Sequence, residues 1–411
     1  MDNNKHILLI HQVFRRASEG GGTRHYELLR RAVVAGHRVT VVASRVGYLD
    51  GKLNAGPAQT DDDGIRIRYA AMLSSIHRSF FHRLLAFLSF MCSSVREGLR
   101  AGQVDVVIGT TPPLFQALAA WCVALLRWKP FILEVRDLWP DFAIEMGVLK
   151  NPFFIWLGRR LECFLYRRAK HIIVNSPAFI DYLVHTRGIR RDKITLVPNG
   201  VDVAMFDPAA RGEEIRNSWG VGDRFCVVYA GALGPANDIP TIIRAAERLR
   251  ADDRIRFILV GDGKDRERSM NLVREKNLQN VHWAGVVAKT DMKNVLAAAD
   301  ACLAILMNIP MFSTVYPNKV FDYMAAGRPT ILGIDGVIRD VIEASDGGVF
   351  FTPGDDEALA DIVTEMAGDR AACARMGGNA RSYVAEHFNR DVHSGMFLDV
   401  ILASISKNST P

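Results

Sequence analysis

The 411-residue chain lacks the signatures of several common protein classes. No window reaches the roughly 18 uncharged apolar residues of a membrane-spanning helix, and no basic-then-apolar signal peptide opens the chain. Its six cysteines form no Cys-x-x-Cys pair, which is typical of reduced core residues in a cytosolic protein. A nucleophile elbow, a P-loop and a His-Glu-x-x-His zinc motif are all missing. We therefore expect a cytoplasmic protein outside the serine hydrolase, P-loop and zinc-peptidase classes.

Size and charge indicate two unlike halves. A chain of this length exceeds what one hydrophobic core usually serves, and 49% hydrophobic residues suit a folded protein. The first 200 residues contain 28 Lys and Arg against 16 Asp and Glu, whereas the remainder contain 23 against 29. A basic first half favours the binding of anionic lipid, a diphosphate-linked acceptor or nucleic acid. The alternative is an ordinary arginine-rich surface. Nucleic acid is disfavoured because no recognition-helix or aromatic-basic ribbon signature is present.

Short apolar runs alternate with longer helical stretches in both halves. Strands are predicted at 6–10, 39–43, 104–108, 131–135, 172–175, 225–229, 256–260, 281–283, 301–305, 330–332 and 348–351. Helices are predicted between them, including 23–35, 79–100, 114–126, 153–169 and 178–185. This alternation predicts an α/β protein with two parallel, doubly wound sheets, joined near 198–207. In such sheets ligands bind beyond the carboxyl ends of the strands, where the glycine-containing loops at 20–22, 231–237 and 261–263 fall.

A helix start late in the chain, in Tyr316-Pro-Asn-Lys-Val-Phe-Asp322, carries candidate binding residues. Pro317 sets the backbone for a helix, where Asn318 and Lys319 offer free backbone N–H groups. A helix N-terminus can hold a phosphate, and the Lys319 ammonium adds a full charge. Asp322, one turn further on, is placed to accept hydrogen bonds from sugar hydroxyls. Together these features predict a nucleotide-sugar site.

With these residues the chain resembles the family 4 glycosyltransferases, retaining enzymes of the GT-B fold that use nucleotide-sugar donors. The resemblance covers nearly the whole chain, through Gly20-Gly21-Gly22 and the segments 174–177, 196–202, 229–231, 259–263, 283–286 and 324–329. More narrowly, it resembles bacterial transferases of amino or deoxy sugars in O-antigen and capsule assembly. The resemblance implies an acceptor-binding, membrane-facing Rossmann-like domain at 1–200 and a nucleotide-sugar-binding one at 201–390. It also implies a C-terminal helix at 391–411 that crosses back to the first domain.

Two features depart from the family pattern. The family signature contains two glutamates separated by seven residues. The second is Asp322 here, which keeps the charge and the expected ribose contact, but the first falls on the neutral Thr314. An Arg and a Lys that bind phosphate in many relatives appear as Ala232 and Asn237, and Lys319 is the candidate replacement. The missing first glutamate favours a donor with altered hydroxyls, such as an N-acetylated 6-deoxyhexosamine.

The donor site expected from the resemblance contains loop glycines and the helix start. Glycines let the backbone approach a diphosphate closely, and the alternative for the first glycine run is a plain flexible loop. Its spacing is not a dinucleotide-binding fingerprint. The expected donor-binding residues are Gly20, Gly21, Gly22, Gly231, Gly261, Asp262, Gly263, Val286, Thr314, Asn318 and Asp322.

The acceptor is predicted to bind at Arg136 and Asp137, which end a strand, so that their charges would point toward the ligand-binding cleft. Asp137 would position the acceptor hydroxyl and Arg136 would pair with an acceptor phosphate, unless the two form an internal salt bridge. A basic, aromatic helix at 79–100, and a second stretch at 153–168, predict contact with an anionic membrane; the alternative is core helices packed on the sheet.

We therefore expect transfer of a sugar from a UDP-sugar to a polyprenyl-diphosphate-linked acceptor, on the cytoplasmic face of the cell membrane. Arg136, Asp137 and Lys319 are the expected catalytic residues. No cofactor or metal is expected, because Asp61-Asp62-Asp63 is interpreted as a solvated turn before a short strand. The alternatives are a catalytically inactive GT-B partner subunit and a UDP-sugar epimerase.

Overall fold

The computed structural model describes residues 4–16, 22–46, 57–73, 80–206 and 212–406. Two compact units make up the chain. The first contains the described parts of Met1–Arg16, Thr23–Pro198 and Asp391–Pro411, and the second contains the described parts of Ala17–Gly22 and Asn199–Arg390. Gly20 and Gly21 lie outside the described residues.

The first unit is built on an eight-stranded sheet in the order β3-β4-β2-β1-β5-β6-β7-β8, in which only β3 is antiparallel to its neighbour. Strands β1, β5 and β6 are buried along their whole length, as their apolar runs predict. The strands are β1 His6–Ile10, β2 Arg38–Ser44, β3 Gln59–Asp62, β4 Ile65–Ala70, β5 Val106–Thr111, β6 Phe131–Val135, β7 His171–Val174 and β8 Ile194–Leu196.

Helices connect these strands: α1 Arg24–Val34, α2 Phe80–Leu99, α3 Leu114–Leu126, α4 Asp141–Glu145, α5 Pro152–Arg168 and α6 Pro177–Asp181. Helix α3 packs closely on β5 at Gly109, where a Cβ would lie 2.7 Å from the Ala120 Cβ. Helix α5 begins where the Asn151 side chain accepts hydrogen bonds from the backbone N–H groups of Phe153 and Phe154, with Pro152 at the first helical position.

The second unit has a six-stranded parallel sheet in the order β11-β10-β9-β12-β13-β14. Its strands are β9 Phe225–Ala230, β10 Ile255–Val260, β11 Val281–Gly285, β12 Ala301–Ile305, β13 Thr330–Gly333 and β14 Gly348–Phe350. Its helices are α7 Glu213–Ser218, α8 Ile239–Arg248, α9 Arg266–Glu275, α10 Met292–Ala297, α11 Asn318–Ala325, α12 Val337–Ser345, α13 Asp356–Gly368 and α14 Arg370–His387. Apolar residues on both faces of the sheet form two buried cores.

The last helix, α15, spans Arg390–Ser406, and its residues from Asp391 onward belong to the first unit. There Lys170 Nζ donates a hydrogen bond to the Ser404 carbonyl at 2.7 Å. Among the helices of the described ranges, none is long and apolar enough to cross a bilayer.

Two wound, predominantly parallel sheets confirm the predicted α/β fold class. Three local expectations need correction. Strands β3 and β8 were not predicted. Asp61 and Asp62 lie in β3 and pair with β4 instead of lying in a turn. The helix expected at 178–185 is the short α6, followed by a π-helical turn at Tyr182–Thr186.

Candidate functional site

Two glycine-containing loops of the second unit pack backbone against backbone at the carboxyl ends of β9 and β10. Gly231 N donates to the Val260 carbonyl and Leu233 N donates to the Asp262 carbonyl, both at 2.9 Å. Gly261 has a φ of +132°, and a Cβ there would lie 1.9 Å from the Gly231 carbonyl oxygen. Only glycine fits this contact, so the loops are held together without side chains between them.

Lys319 lies against the first of these loops. Its Nζ donates to the Tyr229 hydroxyl at 2.8 Å and to Asn237 Oδ1 at 3.3 Å, and it lies 4.1 Å from the centre of the Tyr229 ring. A Cβ on Gly231 would lie 2.7 Å from the same nitrogen. Burial lowers the pKa of Lys319 to about 7. Tyr229 and Asn237 are neutral, so neither balances the positive charge of a Lys319 ammonium. An anion bound at this loop would balance that charge.

Tyr323 explains why Lys319 reaches the loop. It follows Lys319 by four residues, so the two side chains share one face of α11. The Tyr323 hydroxyl accepts a hydrogen bond from Ala230 N at 2.9 Å and donates to the Ala230 carbonyl at 3.0 Å. This contact fixes α11 to the end of β9. Tyr323 was not among the residues predicted from the sequence.

The other expected donor residues lie around these loops. Asn318 is exposed in the first turn of α11, and Asp322 is half-buried one turn further on. Asp262 Oδ1 accepts a hydrogen bond from Gly263 N at 2.7 Å. Lys319 thus contacts the loop that begins at Gly231, and this loop packs on the one that contains Gly261 and Asp262.

Three expected donor residues are not tied into this set by the contacts described. The Thr314 hydroxyl donates to the Met311 carbonyl at 2.7 Å, within the 3₁₀ turn Pro310–Thr314. Val286 is exposed after β11. Gly22 precedes α1, and a Cβ there would meet no atom within 4 Å.

The first unit contains a buried ionic cluster centred on Glu134, in β6. Its carboxylate accepts from Arg24 Nε at 3.0 Å, from His25 Nε2 and from the Thr110 hydroxyl at 3.1 Å. Burial raises the pKa of Glu134, but the opposing charges of His25 and Arg24 outweigh it and hold the pKa well below its ordinary value. Glu134 is thus a fixed, ionised support for two side chains of α1.

Arg136 is linked to the same cluster. Its Nε donates to the Thr110 hydroxyl at 2.9 Å and to the Thr111 carbonyl at 3.1 Å, and its Nη2 lies 3.3 Å from His11 Nε2. In the part of the chain that the structure describes, Arg136 forms no ion pair with Asp137. Asp137 is partly exposed, and burial, opposed by the Arg136 charge, raises its pKa to about 6.

Sequence reasoning assigned no role to His11, Arg24, His25 or Glu134. One signal was available, since Glu134 lies within the apolar run Phe-Ile-Leu-Glu-Val of a strand predicted to be buried. A buried carboxylate needs charged or hydrogen-bonding partners. Their identity was not accessible, because Arg24 and His25 precede Glu134 by about a quarter of the chain.

Two family models match the chain and together cover most of it. One, described as a glycosyl transferase 4-like domain, matches residues 19–200, and the other, glycosyl transferases group 1, matches 212–383. They correspond closely to the two compact units.

The chain is also similar to curated proteins and to solved structures. An alpha-galactosylglucosyldiacylglycerol synthase of Streptococcus pneumoniae is 28% identical over 59% of this chain and 64% of its own, so the chain spans just under two thirds of its length. A GDP-mannose-dependent alpha-mannosyltransferase of Mycobacterium tuberculosis is 28% identical over 70% of this chain and 71% of its own. The structure of Anabaena HepE in complex with UDP and glucose superposes with a TM-score of 0.72 at 16% identity, covering 96% of this chain and 98% of HepE. This last similarity shows a shared fold.

Proposed function

Because the chain belongs to the GT-B glycosyltransferases of the family 4 type, we propose that it transfers a sugar from a UDP-sugar to a lipid-linked acceptor, with retention of configuration, in surface polysaccharide biosynthesis. The observation that carries the proposal is the position of the Lys319 amine, which lies against Gly231 and donates hydrogen bonds to the neutral side chains of Tyr229 and Asn237. The diphosphate of a nucleotide-sugar donor is an anion of the kind that such a position binds.

The donor would bind to the second unit with its diphosphate at Lys319 and the start of α11. Asp322 would hold the ribose, while the loop 261–263 and the backbone near Val286 would border the base. Cleavage of the glycosidic bond gives an oxocarbenium-like transition state with negative charge on the leaving phosphate. An ammonium that meets this charge as it develops accelerates the reaction more than one that only binds the ground state.

The nucleotide is the first point to test. HepE was solved as a complex with UDP, whereas the mycobacterial relative is named for GDP-mannose. We would titrate the protein with UDP, GDP and ADP by calorimetry and repeat the UDP titration with Asp322→Asn. Preferential UDP binding that weakens in the variant supports the proposal. Preference for GDP or ADP refutes the UDP assignment, and unchanged UDP affinity removes Asp322 from the ribose role.

The acceptor would bind to the first unit. Asp137 would orient the attacking hydroxyl, and Arg136 would pair with a polyprenyl diphosphate. The name of the pneumococcal relative describes a glycosylated diacylglycerol, which supports a lipid acceptor. The donor sugar that the Thr314 substitution favours is an N-acetylated 6-deoxyhexosamine.

A lipid acceptor requires access to a membrane, and α5 offers a surface for it. Phe153 is 61% exposed and Trp156 is 54% exposed, and exposed Arg159 and Arg160 lie one turn further along the helix. Aromatic rings beside arginines suit an interface of anionic headgroups, such as the inner face of a cell membrane. Helix α2 fits this role less well in its described part, because Ala86 and Phe90 are buried there; the side chains of Phe80 and Phe81 lie outside the described residues.

Vesicle co-sedimentation tests this surface. The double variant Phe153→Ser/Trp156→Ser should bind vesicles containing anionic lipid at least roughly tenfold more weakly, because it removes two of the side chains that would enter the interface. The control is Trp128→Ser, which removes a 90% exposed ring just after the last turn of α3. Equal binding by the double variant and the wild type would contradict the proposal.

Two other functions predict different results. A catalytically inactive partner subunit, suggested by Thr314, Ala232 and Asn237, would bind none of the three nucleotides. A UDP-sugar epimerase would convert its donor without any acceptor, which product analysis detects.

A further inference from the structure

The amine of Lys319 can donate more hydrogen bonds than its neighbours accept. A lysine ammonium has three N–H groups and no acceptor. One N–H donates to the Tyr229 hydroxyl at 2.8 Å, and a second donates to Asn237 Oδ1 at 3.3 Å. Among the described residues, no acceptor meets the third. Because the amine lies against Gly231, this third N–H is available to a ligand of the glycine loop.

Tyr229 and Asn237 can only accept hydrogen bonds from this amine. The hydrogen of the Tyr229 hydroxyl is already used, since it donates to the Ala232 carbonyl at 2.8 Å. Tyr229 is 1% exposed, and burial raises its pKa above the ordinary value, so the hydroxyl keeps that hydrogen. The amide oxygen of Asn237 has no hydrogen to give. Both contacts therefore each occupy one N–H, whether the amine is charged or neutral.

The protonation state of Lys319 then decides what its remaining position offers to a ligand. A neutral amine has two N–H groups and a lone pair, so it presents the lone pair once both N–H groups are occupied. A charged amine presents an N–H in the same place. An anionic oxygen accepts a hydrogen bond from the N–H, whereas the lone pair repels it.

Both forms of the amine are present near neutral pH. Burial lowers the pKa of Lys319 to about 7. Tyr229, from β9, is the titratable side chain that contacts the amine, whereas Tyr323 of the same helix directs its hydroxyl to the Ala230 backbone. Within the described ranges, no charged side chain pairs with the amine, so a bound anion would be its counter-charge.

We propose that Tyr229 and Asn237 are positioning residues, which hold the Lys319 amine so that it binds the donor diphosphate only in its protonated form. The proposal rests on the proposed function and adds two residues to it. Asn237 stands where many members of the resembling family have a phosphate-binding Lys. It would act on the phosphate through Lys319 instead of touching it.

Tyr229→Phe keeps the ring beside the amine and removes one acceptor. The charged amine loses more than the neutral one, because hydrogen bonds to charged groups are the stronger, so the pKa of Lys319 should fall. We expect the affinity for UDP in calorimetry to fall about tenfold at pH 8, where little of the amine is charged. At pH 6, where the wild-type amine is mostly charged, the loss should be about twofold. An equal loss at both pH values, or no loss, would overturn the role of Tyr229.

Tyr166→Phe is the matched control. Tyr166 is also 1% exposed, and its hydroxyl donates to Glu162 Oε1 at 3.0 Å in the first unit. This variant loses a buried hydroxyl of the same kind without touching Lys319, so its affinity for UDP should equal that of the wild type at both pH values. Thermal unfolding shows whether each variant is folded at the temperature of the titration.

Asn237→Asp changes the charge of the amine in the opposite direction. A carboxylate in place of the amide pairs with Lys319, which raises the pKa of the amine, but it also repels the diphosphate. We expect UDP to bind at least roughly tenfold more weakly at pH 6 and at pH 8. Binding as tight as that of the wild type would overturn the role of Asn237.

The amine can also be titrated in the free protein, without any nucleotide. In protein labelled with ¹³C-lysine, the Cε resonance of Lys319 is the one that Lys319→Arg lacks. Its midpoint should lie at about pH 7 in the wild type, lower in Tyr229→Phe and higher in Asn237→Asp; unchanged midpoints would refute the positioning. Absence of UDP binding from the wild type would instead refute the proposed donor site, because the midpoints alone decide whether Tyr229 and Asn237 hold the amine.

Discussion

Nucleotide binding to the second unit should depend on pH through Lys319. Its pKa of about 7 means that the amine is mostly charged at pH 6 and about one-tenth charged at pH 8. If only the ammonium binds the diphosphate, the apparent affinity for UDP falls about tenfold over this range, or about 1.4 kcal/mol. Binding at pH 8 should also take up a proton, because the bound anion raises the pKa of the amine.

Calorimetry at pH 6, 7 and 8, in two buffers of different ionisation enthalpy, measures both the affinity and the proton uptake. The terminal phosphate of UDP ionises near pH 6, which opposes the trend by strengthening binding at higher pH. Lys319→Arg corrects for this because arginine stays charged throughout the range. The ratio of wild-type to variant affinity should fall about tenfold from pH 6 to pH 8. A constant ratio without proton uptake would refute a role for Lys319 in binding the diphosphate.

Three further substitutions test other parts of the structure. Glu134→Gln should lower the free energy of unfolding in urea by about 3 kcal/mol, because the buried Arg24 guanidinium loses its carboxylate; Glu97→Gln, at a partly exposed ion pair, should cost under about 1 kcal/mol. Similar losses in the free energy of unfolding of the two variants would contradict a larger contribution to stability from the buried Glu134 cluster. Gly261→Ala should abolish UDP binding, because its Cβ would lie 1.9 Å from a carbonyl oxygen of the neighbouring loop, whereas Gly368→Ala meets nothing within 4 Å and should bind normally. Turnover should rise with pH through about 6 as Asp137 ionises, and Asp137→Asn should remove that step from the rate profile; a flat wild-type profile would exclude the carboxylate.

Most of the fold was predictable because buried parallel strands are short, continuous apolar runs. The predicted bounds of His6–Ile10, Phe131–Val135 and Ala301–Ile305 match the structure at both ends. The strands Gln59–Asp62 and Ile194–Leu196 were not predicted, because the first is polar and the second has only three residues. Their pairing depends on neighbours in space rather than on a local pattern.

The candidate site was predictable to a smaller extent. Motif order identified Lys319 and Gly231 separately, and the structure brings them into contact through the anchor that Tyr323 makes to β9. The Glu134 cluster joins residues about 110 positions apart, and no periodicity encodes that distance. Local sequence therefore indicated which residues are unusual, but only the folded sheet shows which of them meet.

The acidic strand β3 has a consequence for the behaviour of the protein in concentrated solution. It occupies one end of the eight-stranded sheet, where one row of backbone N–H and C=O groups has no strand to pair with among the described residues. Such an edge can recruit a strand from another molecule and start aggregation. Asp61, Asp62 and the adjoining Asp63 place successive negative charges along this edge, so a second copy approaching with its own β3 is repelled. These three aspartates thus help to keep separate molecules from joining their sheets.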